Sequence, residues 1–348
     1  MNALTRRSWI RLAGFGTAAA GLLRSATVRG AQNSTHPPVM DHAAHTMGPI
    51  GNADLSRFNP TDFLRASNFS NLPPADRSRY YKETARPDGT MLREYEIVAV
   101  DREIEIAPGV FFPAWTFNGQ VPGPTIRATQ GDRVRINFLN QGSHTHTMHF
   151  HGWHLPAMDG SLPEHQVVPG AKFVYEFDAE PFGTHLYHCH AAPLKRHIHK
   201  GMYGAFIVDP KEPRPEADEM VMLMNAFDTD FDSDNEVYAV NTLANHYMTH
   251  PIRVEVGRRV RMHVINVTEF DLINSLHLHG MFFDVFRTGT RTTVDDHTDT
   301  VMLCQGERAV LETTFRYPGK FMFHAHQSEF AELGWMGMFE AVEPRRDT

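Results

Sequence analysis

Apolar and polar residues alternate along two well separated stretches of this chain, and the two stretches match. Ile126–Asn140 and Ile252–Asn266 align at a constant offset of 126 with seven identities in fifteen positions. In the first, Val134, Ile136 and Phe138 take every second place between polar residues; in the second, Val260, Met262 and Val264 do the same. A period of two marks a strand with one buried face, so each copy predicts β-structure. Each copy then reaches a His-x-His-Gly segment and later returns as an aromatic-rich strand bearing another His-x-His, at Leu186–His190 and Phe321–His326. Duplication of one β-domain is the simplest explanation, each copy a sandwich of about 120 residues.

Boundaries follow from shifts in composition. Asp209-Pro-Lys-Glu-Pro-Arg-Pro-Glu-Ala-Asp218 carries the prolines and charges of an exposed joint, which sets domains at 93–210 and 211–348. Residues 32–92 are polar, rich in Pro and Asn and without clear periodicity, and are expected to be a partly disordered extension. Residues 1–31 read as an export signal: Thr5-Arg6-Arg7-Ser8-Trp9-Ile10-Arg11 before the modest apolar run Leu12–Leu23 is a twin-arginine pattern. That run is too short to span a bilayer in the mature protein. The expectation is periplasmic or secreted.

The 348 residues, 41% of them hydrophobic, with 25 Gly and 22 Pro, suit a turn-rich globular fold. A net charge of −8 gives no reason to expect nucleic acid as a partner. Histidine is the outlier at 22 residues, and ten of these fall in short motifs: His146-Thr-Met-His149-Phe-His151, His188-Cys189-His190 followed by His197 and Met202, His277-Leu-His279, and His324-Ala-His326. Imidazole with thiolate suits copper, and one Cys with two His and a weak Met makes a blue electron-transfer centre. On a strand the outer histidines of His-x-His share a face about 7 Å apart, while the central residue points the other way. Cys189 is thus expected to face one metal and His188 and His190 another.

Two cysteines are present, Cys189 and Cys304. A disulfide is the default in an exported protein, but here it would consume a thiolate flanked by ligands. Cys304, in the apolar run Val301-Met-Leu-Cys, is expected to be a buried small hydrophobe. The segment His36-Pro-Pro-Val-Met40-Asp-His42-Ala-Ala-His45-Thr-Met47 could collect copper, or be a linker after the signal.

These motifs, with Asn118-Gly-Gln-Val-Pro-Gly-Pro124 leading into Gly131-Asp132, make the chain resemble a multicopper oxidase from about residue 93 to 341. Two domains rather than three, with the cysteine in the first and Ala325 where the second would need one, make it similar to two-domain laccase-like oxidases, which share a plan with copper nitrite reductases. The resemblance implies an all-β fold of two cupredoxin-like Greek-key sandwiches and four coppers per chain. It assigns type 1 copper to His146, Cys189, His197 and Met202, and type 2 copper to His149 and His277. The type 3 pair would take His151, His188, His190, His279, His324 and His326. His199 is the alternative to His197, and the spacing to Met202 favours His197. The resemblance also implies a homotrimer with clusters between subunits, and oxidation of a phenol, an aromatic amine or Cu(I) coupled to reduction of O₂ to water.

Proton delivery to such a cluster calls for acids. Asp159, after the first His-x-His-Gly, resembles an aspartate near type 2 copper in that family, and Glu329, three residues past His326, is the second candidate. Two other readings stand beside the oxidase. A copper nitrite reductase would need one further copper held by three histidines and an aspartate, whereas His149 and His190 here add ligands. A cuprous oxidase or copper-resistance protein is suggested by the 17 methionines.

Overall fold

In the computed structural model, residues 58–66 and 81–344 are described. The twin-arginine segment and the His/Met segment at 36–47 lie outside them.

The first sandwich is built from nine strands: β1 (Lys82–Ala85), β2 (Met91–Ala107), β3 (Val110–Phe117), β4 (Gly123–Thr129), β5 (Arg133–Asn140), β6 (His149–Phe150), β7 (Lys172–Asp178), β8 (Gly183–His188) and β9 (Tyr203–Asp209). One sheet runs β1-β2-β5-β7 with β3 on β2, and the other β4-β9-β8-β6. Between them lie Ile97, Val134, Ile136, Phe138, Phe150, Tyr175, Phe177, Tyr187 and Phe206. The alternation in β5 is realised as expected, with Val134, Ile136 and Phe138 inaccessible to solvent.

The second sandwich repeats the plan with β10 (Asp218–Phe227), β11 (Val237–Val240), β12 (Ile252–Glu255), β13 (Arg259–Asn266), β14 (Ile273–Leu278), β15 (Phe283–Arg287), β16 (Asp296–Thr298), β17 (Thr300–Cys304), β18 (Arg308–Thr314), β19 (Gly319–His324) and β20 (Met336–Val342). Its sheets run β11-β10-β13-β18-β15-β16 and β12-β20-β19-β14-β17. Three pairings of the first sandwich recur in the second. β2 lies parallel to β5 as β10 does to β13, and β4 parallel to β9 as β12 does to β20. β6 pairs with β8 as β14 does with β19.

A third apolar cluster joins the two. Val121, Leu186, Tyr203 and Ile207 of the first sandwich pack with Val221, Leu223, Phe227 and Ile265 of the second. The peptide of Thr184 donates to Thr288 O at 2.8 Å across the same contact. A buried ionic network crosses it as well: Arg127 pairs with Asp209 and Glu219, and Arg261 with Glu219 and Glu312.

Two features depart from the sequence reading. Residues Pro60–Ala66 form a short helix and Lys82–Ala85 a strand, both inside the stretch without periodicity. Leu64 of that helix is buried in one cluster with Ile252 and Val254, so about two packed turns, too short to show a period, place it. Cys304 is exposed rather than buried, and both cysteines are free. β17 alternates with Val301 and Leu303 inward, which turns Met302 and Cys304 outward despite the unbroken apolar run.

Candidate metal centres

The strand period delivers Cys189 and its neighbours to opposite sides. β8 ends at His188, and Cys189 and His190 follow it directly. On one side, Cys189 Sγ lies 3.2 Å from His197 Nδ1 and 3.8 Å from His146 Nδ1, and the two Nδ1 atoms are 3.2 Å apart. All three residues are buried, as is Met202. Met202 closes the loop behind them, accepting from the Cys189 peptide at 2.9 Å and donating to His197 O at 3.2 Å. His197 itself rides on the helical turn Leu194–His199. Gly201 completes this loop at φ +105, where a Cβ would sit 2.5 Å from Val121 Cγ2, so only glycine fits there.

Burial pushes the imidazole of His146 down to about 3 and that of His197 to about 4, and pushes the Cys189 thiol up to about 11. Neutral imidazoles with free lone pairs thus converge on a sulfur that burial keeps protonated unless a cation is present. His146 Nε2 is buried with no hydrogen-bond partner among the described residues. The Thr147 peptide points at Sγ from 3.3 Å, a donor suited to a thiolate. One soft sulfur and two imidazoles fit copper. Trp115, which nothing in the sequence singled out, packs its buried ring against His197 at 4.8 Å and His146 at 5.5 Å, and against the exposed His144 at 4.2 Å.

On the other side, four histidines gather. His149 stands opposite His188 in the β6–β8 register. Its ring centroid is 5.3 Å from His151, 5.2 Å from His188 and 5.3 Å from His190. His151 Nε2 and His188 Nε2 face each other at 3.3 Å. The second sandwich builds the same figure. His277 stands opposite His324 in β14–β19, with ring centroids 4.9 Å from His279, 5.4 Å from His324 and 5.3 Å from His326. His279 Nε2 and His324 Nε2 are 2.9 Å apart. Among the described residues, no hydrogen bond or ring contact joins one set to the other, and the groupings close enough to share an ion keep them separate. His279 and His326 are exposed.

Outer nitrogens are held by acceptors. Asp159 O takes a hydrogen bond from His149 Nδ1 at 2.7 Å, with the Asp159 carboxylate at 3.3 Å. Gly160, at φ +74 and with Met148 O where a Cβ would stand, lets this loop close onto β6. Burial acts to raise the Asp159 carboxyl, but the Ser161 hydroxyl and the charges of His149, His154 and His190 outweigh it and hold it below its ordinary value. His277 Nδ1 meets Asp299 O at 3.0 Å and Thr300 Oγ1 at 2.9 Å, with the Asp299 carboxylate at 3.8 Å. Asp299 is the counterpart of Asp159, and sequence reasoning missed it because it acts through a backbone carbonyl, 22 residues on, in the bend between β16 and β17. Glu329 is exposed at the start of the short helix Ser328–Glu332, and no hydrogen bond ties it to a histidine among the described residues.

Comparison with known proteins agrees with this geometry. Two family models, each described as multicopper oxidase, match residues 101–213 and 214–345. A crystal structure of a multicopper oxidase is 53% identical, with 82% of this chain and 97% of that one aligned and a TM-score of 0.77. The blue copper oxidase from Nitrosomonas europaea is 28% identical over 72% of this chain and 86% of its own, with a TM-score of 0.66. The copper-containing nitrite reductase of Neisseria gonorrhoeae is 29% identical over 247 residues, 65% of this chain and 62% of that protein. The chain thus spans just under two thirds of the length of this curated relative.

Proposed function

Since this chain belongs to the multicopper oxidase family, we propose that this oxidoreductase is laccase-like, oxidising phenols, aromatic amines or Cu(I) and reducing O₂ to water. The observation that carries the reading is the pair of equivalent histidine quartets, one on each sandwich, beside a single Cys/His/His set. A nitrite reductase needs three histidines and an aspartate at its second site, and eight histidines exceed that.

His146, Cys189, His197 and Met202 would hold one copper, His149 and His277 a second, and His151, His188, His190, His279, His324 and His326 a coupled pair. Copper so held supplies one-electron oxidation at the sulfur-bound site and multi-electron reduction of O₂ at the histidine-bound site. The protein's part is geometric. The Thr147 peptide and the apolar surroundings of Cys189 set the donor strength of the sulfur. The bonds from Cys189 to His188 and His190 connect the two donor sets by the shortest covalent path. Asp159 and Asp299 fix the outer nitrogens of His149 and His277, and Asp159, ionised and partly exposed, can relay protons inward.

Each quartet is half of a site. The exposure of His279 and His326 supports completion by a second copy of the chain, and a closed ring of three copies would complete every site. The reading includes export through the twin-arginine segment to the periplasm or exterior. Its test is O₂ uptake by the copper-loaded protein with a phenol, against nitrite-dependent NO formation with a reduced dye. Phenol-dependent O₂ consumption without NO supports the oxidase; NO production without O₂ consumption refutes it.

A further inference from the structure

Arg308 opens β18 in the second sandwich, yet its side chain ends in the first. Its Nε donates to Thr184 O at 3.1 Å, and its Nη1 and Nη2 lie 3.5 Å from His151 Nδ1 and His185 Nδ1. His185 is matched to it, for its Nε2 donates to Pro181 O at 2.8 Å and leaves Nδ1 as an acceptor. The guanidinium is half-buried, and no carboxylate lies within ion-pair distance of it among the described residues. Glu307 beside it is engaged by Arg287. A half-buried, unpaired cation is costly to keep.

Its target is unusual within the eight histidines. His149, His188, His277 and His324 each direct Nδ1 at a backbone carbonyl, at 2.7, 3.0, 3.0 and 2.6 Å. A carbonyl at the outer nitrogen makes an imidazole a stronger donor. His151 has a cation there instead, while its Nε2 faces His188. His279, its counterpart in the second sandwich, shows no such contact among the described residues.

We propose that Arg308 is a positioning residue that makes His151 the weakest donor of its quartet and biases the metal held there toward the singly charged Cu(I). The bias is electrostatic: a fixed positive charge opposes Cu(II) more than Cu(I). It also gives the second sandwich a role in the first quartet of its own chain. This inference rests on the copper reading of the histidines.

The test compares full-length wild type with Arg308→Gln and Arg308→Lys, each metal-free protein being titrated with Cu(I) and with Cu(II) against chelators of known affinity. Arg308→Gln is expected to lower the Cu(I)-to-Cu(II) affinity ratio about tenfold, the scale of a unit charge at this range in a medium of intermediate permittivity. Arg308→Lys keeps the charge and is expected to stay within about twofold of wild type. If the Gln variant does not fold, Arg308→Met, which keeps the apolar stem without the charge, replaces it. A ratio unchanged in the neutral variant, with only melting temperature lowered, overturns the inference. Failure of wild type to bind copper at the quartet would instead overturn the copper reading beneath it.

Discussion

His149 stands opposite His188 across β6 and β8 with ring centroids 5.2 Å apart, and the duplicated sandwich reproduces the pair as His277 and His324 at 5.4 Å. Among the described residues the two quartets do not meet, and the proposed function has a partner copy complete each one. If each site is shared between copies, His188→Ala and His324→Ala proteins are each inactive alone, but co-assembled chains regain activity at about a quarter of sites, those where an intact first sandwich meets an intact second one. Co-expression with two affinity tags and an O₂ electrode checks this. Recovery of no activity in mixed assemblies contradicts sharing.

In the proposed function Cys189 and Met202 would be the two sulfur ligands of one copper. Cys189→Ser is expected to abolish the blue absorption and phenol turnover while the histidine quartets still bind metal. Visible and paramagnetic resonance spectra of the copper-loaded variant check it, and persistence of both colour and turnover refutes the role.

Asp159 and Asp299 brace the outer nitrogens of His149 and His277. Asp159→Asn, which removes a carboxylate charge 3.3 Å from His149 Nδ1, is expected to lower metal affinity or kcat by roughly 10- to 100-fold, whereas Asp299→Asn keeps the backbone carbonyl that accepts from His277 and is expected to change them by no more than about twofold. Asp159→Asn should in addition change the pH profile of kcat, because that carboxylate is also assigned to proton relay. A profile identical to wild type would leave Asp159 a purely orienting residue.

His263 is a buried imidazole at the joint between sandwiches, bonded to Thr184 Oγ1 at 2.6 Å. Burial, with Arg127 and Arg261 adding to it, pushes it down to about 4, although Glu219 and Asp209 pull the other way. The unfolded chain takes up this proton near pH 6.5, the folded chain near 4. Stability is therefore full above about pH 6.5 and is lost as pH falls toward 4, by about 3 kcal/mol for this one group. Urea unfolding of the metal-free protein at pH 7 and pH 4.5 is expected to show a smaller loss in His263→Gln; an equal loss contradicts the assignment.

Much of the site was legible because a strand maps sequence spacing directly onto space. Once the period of two is accepted, His-x-His fixes a shared face and Cys189 the opposite one, and the repeat at an offset of 126 carries that logic to the second sandwich. The residues that stayed hidden act across distance. Trp115 reaches His146 and His197 by packing between strands distant in sequence, Asp299 works through a carbonyl that any residue could offer, and Arg308 crosses between sandwiches. Cys304 misled because an unbroken apolar run does not reveal which of its residues face outward on an edge strand such as β17.

Copper content per chain, measured together with the integrated paramagnetic resonance intensity of the oxidised protein, distinguishes one sulfur-bound copper plus a three-copper cluster from any smaller set. About four coppers per chain are expected, about half of them visible as one blue and one ordinary signal, the coupled pair being silent. About two coppers per chain, both fully visible, would contradict it.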